Sequence, residues 1–84
     1  GVGIREQEIE HLSVHPNPAN DYVAIEADSR YDRVEIMDIS GQLVKSVNGQ
    51  QKSRIDVSSL EGGVYIVNIY KEQRLVGFSK MIKR

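Results

Sequence analysis

Cysteine is absent from the 84 residues, which removes disulfides, thiolate nucleophiles and cysteine-ligated zinc together. The fold must therefore hold by packing alone. That is compatible with export, provided the core is good enough to do without staples. A strong excess of either charge is also lacking. The formal net charge of −1 is not the basic balance of a nucleic-acid binder. No apolar run approaches the roughly 20 residues of a membrane-spanning helix, and no signal-peptide apolar segment is present. No serine sits in the glycine setting of a nucleophile elbow, and none of Asn17, Asn20, Asn48 and Asn68 starts a glycosylation sequon. These absences point away from an enzyme, a nucleic-acid binder and a membrane-spanning protein. They leave one domain with a single modest core.

What is present is dominated by Gly62-Gly63-Val64-Tyr65-Ile66-Val67-Asn68-Ile69-Tyr70, the longest run of β-branched and aromatic residues. Such residues are stiff at χ1 and pack well on a pleated surface, so this run reads as a central strand buried on both faces. Tyr65, Val67 and Ile69 share its core side, because Asn68 would be costly there without partners. Around it, period-two alternation predicts short strands over Leu12 to His15, Tyr22 to Ala27, Arg33 to Met37, Gln42 to Val47, Arg54 to Val57 and Leu75 to Ile82. Val23, Ile25, Val34, Ile36 and Ile55 are the inward residues. The phase of the last strand stays open, since Phe78 and Ile82 share a face with Lys80 while Met81 sits opposite. Pro16-Asn17-Pro18-Ala19-Asn20-Asp21 is a strong turn, with Asx side chains placed to bond nearby backbone. Asp38-Ile39-Ser40-Gly41 turns a hairpin, with Gly41 suited to positive φ and Asp38 to accepting a backbone hydrogen bond. Leu60 should tuck one apolar side chain under the end of the sandwich. The fold class is all-β: a seven-stranded antiparallel immunoglobulin-like β-sandwich, with a small barrel as the alternative. The Cys and Trp markers of antibody domains are both missing, so only the architecture is meant.

Metal and cofactor chemistry finds little support. His11 and His15 flank a strand, which separates them by roughly 13 Å along extended chain. Glu26, Asp28 and Asp32 do not follow the spacing of an EF-hand loop and read as a solvated acidic edge. No cofactor and no metal are expected. Tyr22, Tyr31 and Tyr70 are the candidate exposed aromatics for a rival function, an adhesion or carbohydrate-binding β-sandwich; a structural spacer is a third reading. Charge is segregated: Lys71, Arg74, Lys80, Lys83 and Arg84 against Glu72 alone give +4 over the last fourteen residues.

Three segments in order carry a resemblance. They are Val14-His15-Pro16-Asn17-Pro18-Ala19-Asn20-Asp21-Tyr22-Val23, then Val34 to Val44 with its Asp38-Ile39-Ser40-Gly41 turn, then Ile55 to Val67 with Leu60-Glu61-Gly62-Gly63-Val64-Tyr65. Together with the basic, apolar ending Lys80-Met81-Ile82-Lys83-Arg84 they resemble the C-terminal sorting domain of the type IX secretion system (type A, Por secretion) of Bacteroidetes. His15 stands where that family often has an aromatic residue, and Met37 where tyrosine is common. The resemblance implies a non-enzymatic address: residues 12–84 are the sorting domain, and residues 1–11 are a linker from a preceding passenger. A start at Gly1 rather than methionine fits a piece of a longer precursor. The type IX translocon would recognise the domain after periplasmic folding and export the passenger. A surface sortase would then cut in the linker, before His11, and attach the passenger to the cell surface, although some members keep the domain. Nucleic acid is not among the expected partners.

Lys80, Met81, Ile82, Lys83 and Arg84 are the expected recognition residues. They concentrate positive charge at a tip, and Met81 and Ile82 offer apolar contacts to a partner extending a sheet edge. Pro16, Asn17, Pro18, Asn20, Asp38, Gly41, Gly63 and Tyr65 mark the motif turns. The ending is expected to be free to be gripped and to add little to stability.

Overall fold

The computed structural model describes residues 9–49 and 54–84, which form two sheets and no helix. Eight strands are present rather than seven: β1 (Glu10–His11), β2 (Ser13–His15), β3 (Tyr22–Glu26), β4 (Arg33–Asp38), β5 (Leu43–Asn48), β6 (Ile55–Asp56), β7 (Gly63–Lys71) and β8 (Arg74–Lys83). The five-stranded sheet has the order β1-β8-β7-β4-β5, and the three-stranded sheet the order β2-β3-β6. The added strand, β1, pairs with β8 in parallel, so the sandwich is not wholly antiparallel. A two-residue strand has no periodicity to read, and its partner lies at the far end of the chain. Gly77 makes the pairing sterically feasible: a Cβ there would fall 2.6 Å from Leu12 Cδ2 and 3.0 Å from Glu10 Cγ. The segment expected as a linker thus divides. Residues 1–8 lie outside the described residues, while Glu10 and His11 belong to the sheet.

One apolar cluster fills the space between the sheets. Val14, Val23, Ile55 and Val57 come from one side, and Val34, Ile36, Tyr65, Val67, Ile69, Val76 and Met81 from the other. Ile25 and Leu60 pack against its margin. The alternation of β7 therefore places Tyr65, Val67 and Ile69 inward, but its other face is not covered: Val64 is exposed and Ile66 half-buried. Two sheets can cover each other on only one side apiece, which is why continuous apolarity did not mean burial on both faces. Asn68 is nevertheless buried on that outer side, between Glu35 and Phe78 as its register neighbours.

An irregularity in the β7–β8 ladder resolves the phase of the last strand. The register shifts between Ile69 and Tyr70, so Val76 and Gly77 are both buried while Met81 points inward further on. Lys80 and Ile82 then face outward. The β7–β8 hairpin closes through Glu72 and Gln73, whose φ values of 51° and 66° are unusual for residues with a Cβ. Asp32 braces the turn, its Oδ2 accepting the Glu72 N–H at 3.0 Å.

Candidate functional site

The C-terminal end of β8 is held on both sides. β7 pairs with it through Tyr65↔Met81, Val64↔Ile82 and Gly63↔Lys83. On the opposite edge the Pro16–Asn20 loop takes the place of a strand. Asn17 donates from Nδ2 to Lys80 O at 3.1 Å and accepts at Oδ1 from Ile82 N at 2.8 Å. Ala19, fully buried, continues the ladder: its N–H donates to Ile82 O at 2.7 Å and its carbonyl accepts from Arg84 N at 2.9 Å. The prolines on either side of Asn17 are both in cis peptide bonds and carry no N–H of their own. The Asx residue expected to cap nearby backbone therefore serves a strand more than sixty positions away. The ending is accordingly no free tail, and its edge is not open for a partner strand to extend.

The other motif residues gather at the same end. Asp38, Tyr65 and Met81 stand in one row across β4, β7 and β8. The Asp38 carboxylate accepts from Ser40 Oγ at 2.6 Å, Ser40 N at 2.9 Å and Gln42 N at 3.0 Å, and the Ser40 hydroxyl above all holds its pKa below the ordinary aspartate value. Gly41 completes that turn at φ 88°, its N–H donating to Asp38 O at 3.0 Å. Tyr65 is buried and donates its hydroxyl to Glu61 O at 2.6 Å, bracing the bend before Gly63. A Cβ on Gly62 would lie 3.3 Å from the Arg84 carbonyl carbon, so the bend and the chain's last residue are in close contact. Pro16, Pro18 and Asn20 are exposed on the clasp loop. Lys80, Ile82 and Arg84 are exposed, and Lys83 is partly so. Met81 is completely buried, so its side chain cannot meet a partner while the domain is folded.

The remaining candidates do not converge. His11 packs against Phe78 with ring centroids 4.6 Å apart and the rings tilted at 51°, whereas His15 lies on the other sheet with Nε2 3.0 Å from Glu26 Oε1. Asp32 is occupied in the hairpin turn and Glu26 with His15. No group of three potential metal ligands forms among the described residues. Of the three tyrosines considered as exposed platforms, Tyr31 is buried in the core, and burial raises its pKa. Tyr70 lies under Arg33 at 4.5 Å and Tyr22 under Arg54 at 4.2 Å. Arg33 Nε also comes within 3.1 Å of Glu35 Oε2, an ion-pair distance without hydrogen-bond geometry.

Two residues that organise this architecture escaped sequence reasoning. Ala19 is one; only its place between two turn residues hinted at it. Glu10 is the other. Its carboxylate accepts from Asp28 N at 3.0 Å and Ser29 N at 2.7 Å, which ties β1 to the turn after β3. Hydrogen bonding to the Ser29 side chain, then to Asp28, lowers its pKa from the ordinary glutamate value. A glutamate in a charged, aperiodic stretch gives no signal for so distant a contact.

The signature turns and the C-terminal strand are thus locked together at one end of a small all-β domain of two sheets. The chain matches the secretion system C-terminal sorting domain family over residues 13–84, and it belongs to that family. It is a C-terminal sorting signal of the type IX secretion system, a family of signals rather than of enzymes. Its role implies an upstream passenger, interaction with the secretion machinery and export across the outer membrane. Among the described residues no helix is long and apolar enough to cross a membrane. No curated protein and no solved structure matched the chain.

Proposed function

We propose that the end of the domain where β8 terminates is the face the translocon reads. Lys80, Ile82, Lys83 and Arg84 supply the contacts, while Met81 anchors them from the core. The observation that carries this reading is the Asn17–Ala19 clasp. It fixes the backbone of Lys80, Ile82 and Arg84 and so presents their side chains from a rigid support. Preorganised contacts lose less entropy on binding than a tail that must be ordered. In this reading the domain folds in the periplasm as an immunoglobulin-like sandwich and engages the translocon, and a surface sortase then cuts upstream and attaches the passenger to the cell surface. The cut falls ahead of Glu10, a narrower placement than the expectation of a cut before His11, because β1 is paired to β8 and tied down by Glu10. N-terminal sequencing of the released domain checks that position; a first residue at or beyond His11 would contradict it.

The decisive experiment fuses this chain behind an unrelated exported reporter in a host with the secretion system. The unmodified fusion should reach the cell surface. Replacing Lys80, Lys83 and Arg84 by glutamate together should leave the melting temperature of the chain nearly unchanged and trap the reporter in the periplasm. Normal surface delivery of the triple variant would remove these residues from recognition.

A further inference from the structure

Among the described residues, five of the seven exposed large apolar residues are concentrated at one end of the five-stranded sheet: Ile39, Leu43, Val44, Val64 and Ile82. Register explains the clustering. Leu43, Met37, Ile66 and Lys80 occupy one row across β5, β4, β7 and β8, and Val64 faces Ile82 in the next row on the same side of the sheet. This face is turned away from the core, and no strand of the second sheet covers it. Ile39, at the tip of the β4–β5 turn, is 80% exposed, and Leu43 is 50% exposed. Neither is needed to fill the core.

An isoleucine at a turn tip is ordinarily replaceable by a polar residue, yet here it sits on a turn whose backbone is fixed on both sides of it. The Asp38 carboxylate takes three hydrogen bonds from Ser40 and Gln42, and a fourth bond joins Gly41 N to Asp38 O. The result is a fixed apolar knob beside a wider apolar strip, the arrangement of an interface anchor. Cations line the strip on the β8 side, and neither Lys80 nor Arg84 is in an ion pair with a carboxylate among the described residues. We propose that Ile39, Leu43, Val64 and Ile82 form a docking surface for a protein of the export machinery that offers an apolar patch rimmed by carboxylates. The inference rests on the sorting reading above and extends it from the C-terminal residues to a surface spanning four strands.

Charge selects this occupant over two others. A second copy of the chain meeting this face about a twofold axis would bring the cations Lys80 and Arg84 onto a face that carries the same cations and offers them no rim of carboxylates. An anionic lipid surface would have to accept the Asp38 carboxylate next to Ile39, with like charges opposed. A protein partner can confine its carboxylates to the β8 side, where they meet Lys80 and Arg84, and set its apolar centre against Ile39 and Leu43 beside Asp38, which a uniformly anionic surface cannot do.

The test uses the reporter fusion with Ile39→Ser and Leu43→Ser, singly and together, and Ile9→Ser and Tyr22→Ser as controls at exposed large apolar residues outside the patch. The double variant should lower surface delivery about tenfold or more, the measure of lost anchors, at an unchanged melting temperature. The controls should be exported normally. A photo-crosslinking residue at position 39 should yield an adduct with a translocon subunit, and Lys80→Glu should weaken that adduct. Failure of the unmodified fusion to reach the surface would count against the sorting reading itself. Normal export of the double variant beside an exported unmodified fusion would overturn the docking surface alone. Two further outcomes would also overturn it: flotation of the purified chain with anionic phospholipid vesicles, abolished by the double variant, assigns the face to lipid. A dimer in sedimentation equilibrium that the same variant dissociates assigns it to a second copy.

Discussion

Asn17 shows how much one side chain can determine. With a donor and an acceptor on one planar amide it satisfies a carbonyl and an N–H of β8 that would otherwise form an open strand edge. Asn17→Ala should therefore cost about 1 kcal/mol, since exposed neutral hydrogen bonds contribute about 0.5 to 1.5 kcal/mol each and water recovers part of the loss. Amide exchange at Ile82 should accelerate more than at Val67; equal protection in the variant would show that the clasp does not hold the strand. Carboxylates give a second residue-scale expectation. Glu10, Asp38 and Asp56 all have pKa values lowered in the folded state, mainly by hydrogen bonds from Ser29, Ser40 and Ser58 respectively. A group of this kind stabilises the fold above its unfolded pKa, and the contribution disappears as pH falls through the lower folded value. The melting temperature should thus be level near neutrality and decline below about pH 4.5, the ordinary glutamate value. Glu10→Gln should flatten part of that decline, and an unchanged acid profile in this variant would exclude Glu10 as a contributor.

At the scale of elements, the β7–β8 hairpin is held by context against local preference. Glu72 and Gln73 both adopt positive φ, where Asn-Gly is the favoured pair for a two-residue hairpin turn. Replacing them with Asn-Gly should stabilise the domain by about 1 kcal/mol, seen as a higher urea midpoint, because left-handed backbone with a Cβ costs about that much per residue. Lower stability would mean that the wild-type side chains make contacts that matter more than the backbone preference. The ending behaves as an element too. Removing Ile82, Lys83 and Arg84 deletes the Val64↔Ile82 and Gly63↔Lys83 pairings together with the hydrogen bonds to Asn17 and Ala19. With several bonds lost, each about 0.5 to 1.5 kcal/mol, and about 4 to 8 °C per kcal/mol for a domain of this size, the melting temperature should fall by about 10 °C or more. That reverses the expectation, drawn from sequence, of a tail with little part in stability. It also makes charge reversal a cleaner probe of recognition than truncation. A truncated domain that melts within a few degrees of the intact one would restore the simpler picture.

The whole molecule is one core between two sheets, so it should unfold as one unit. Val23 and Val67 are both fully buried but come from opposite sheets. Each changed to Ala should cost about 1 to 3 kcal/mol through lost burial and cavity formation, and both should shift the same single transition. Separate transitions for the two variants would show that the sheets are independent. The chain's local chemistry was legible because it is local: alternation placed Tyr65, Val67, Ile69, Val34, Ile36 and Ile55 inward, Asp38 and Gly41 announced their turn, and three ordered motifs pointed to the sorting family. Side-chain period is a property of a strand by itself, so it needs no knowledge of partners. The clasp of Asn17 on Lys80 and Ile82, the parallel pairing of β1, the burial of Tyr31 and the exposure of Val64 and Ile82 on the outer sheet face were decided only by tertiary structure. Each depends on residues brought together from distant parts of the chain, or on which side of a sheet receives a second layer. Neither leaves a period in the sequence.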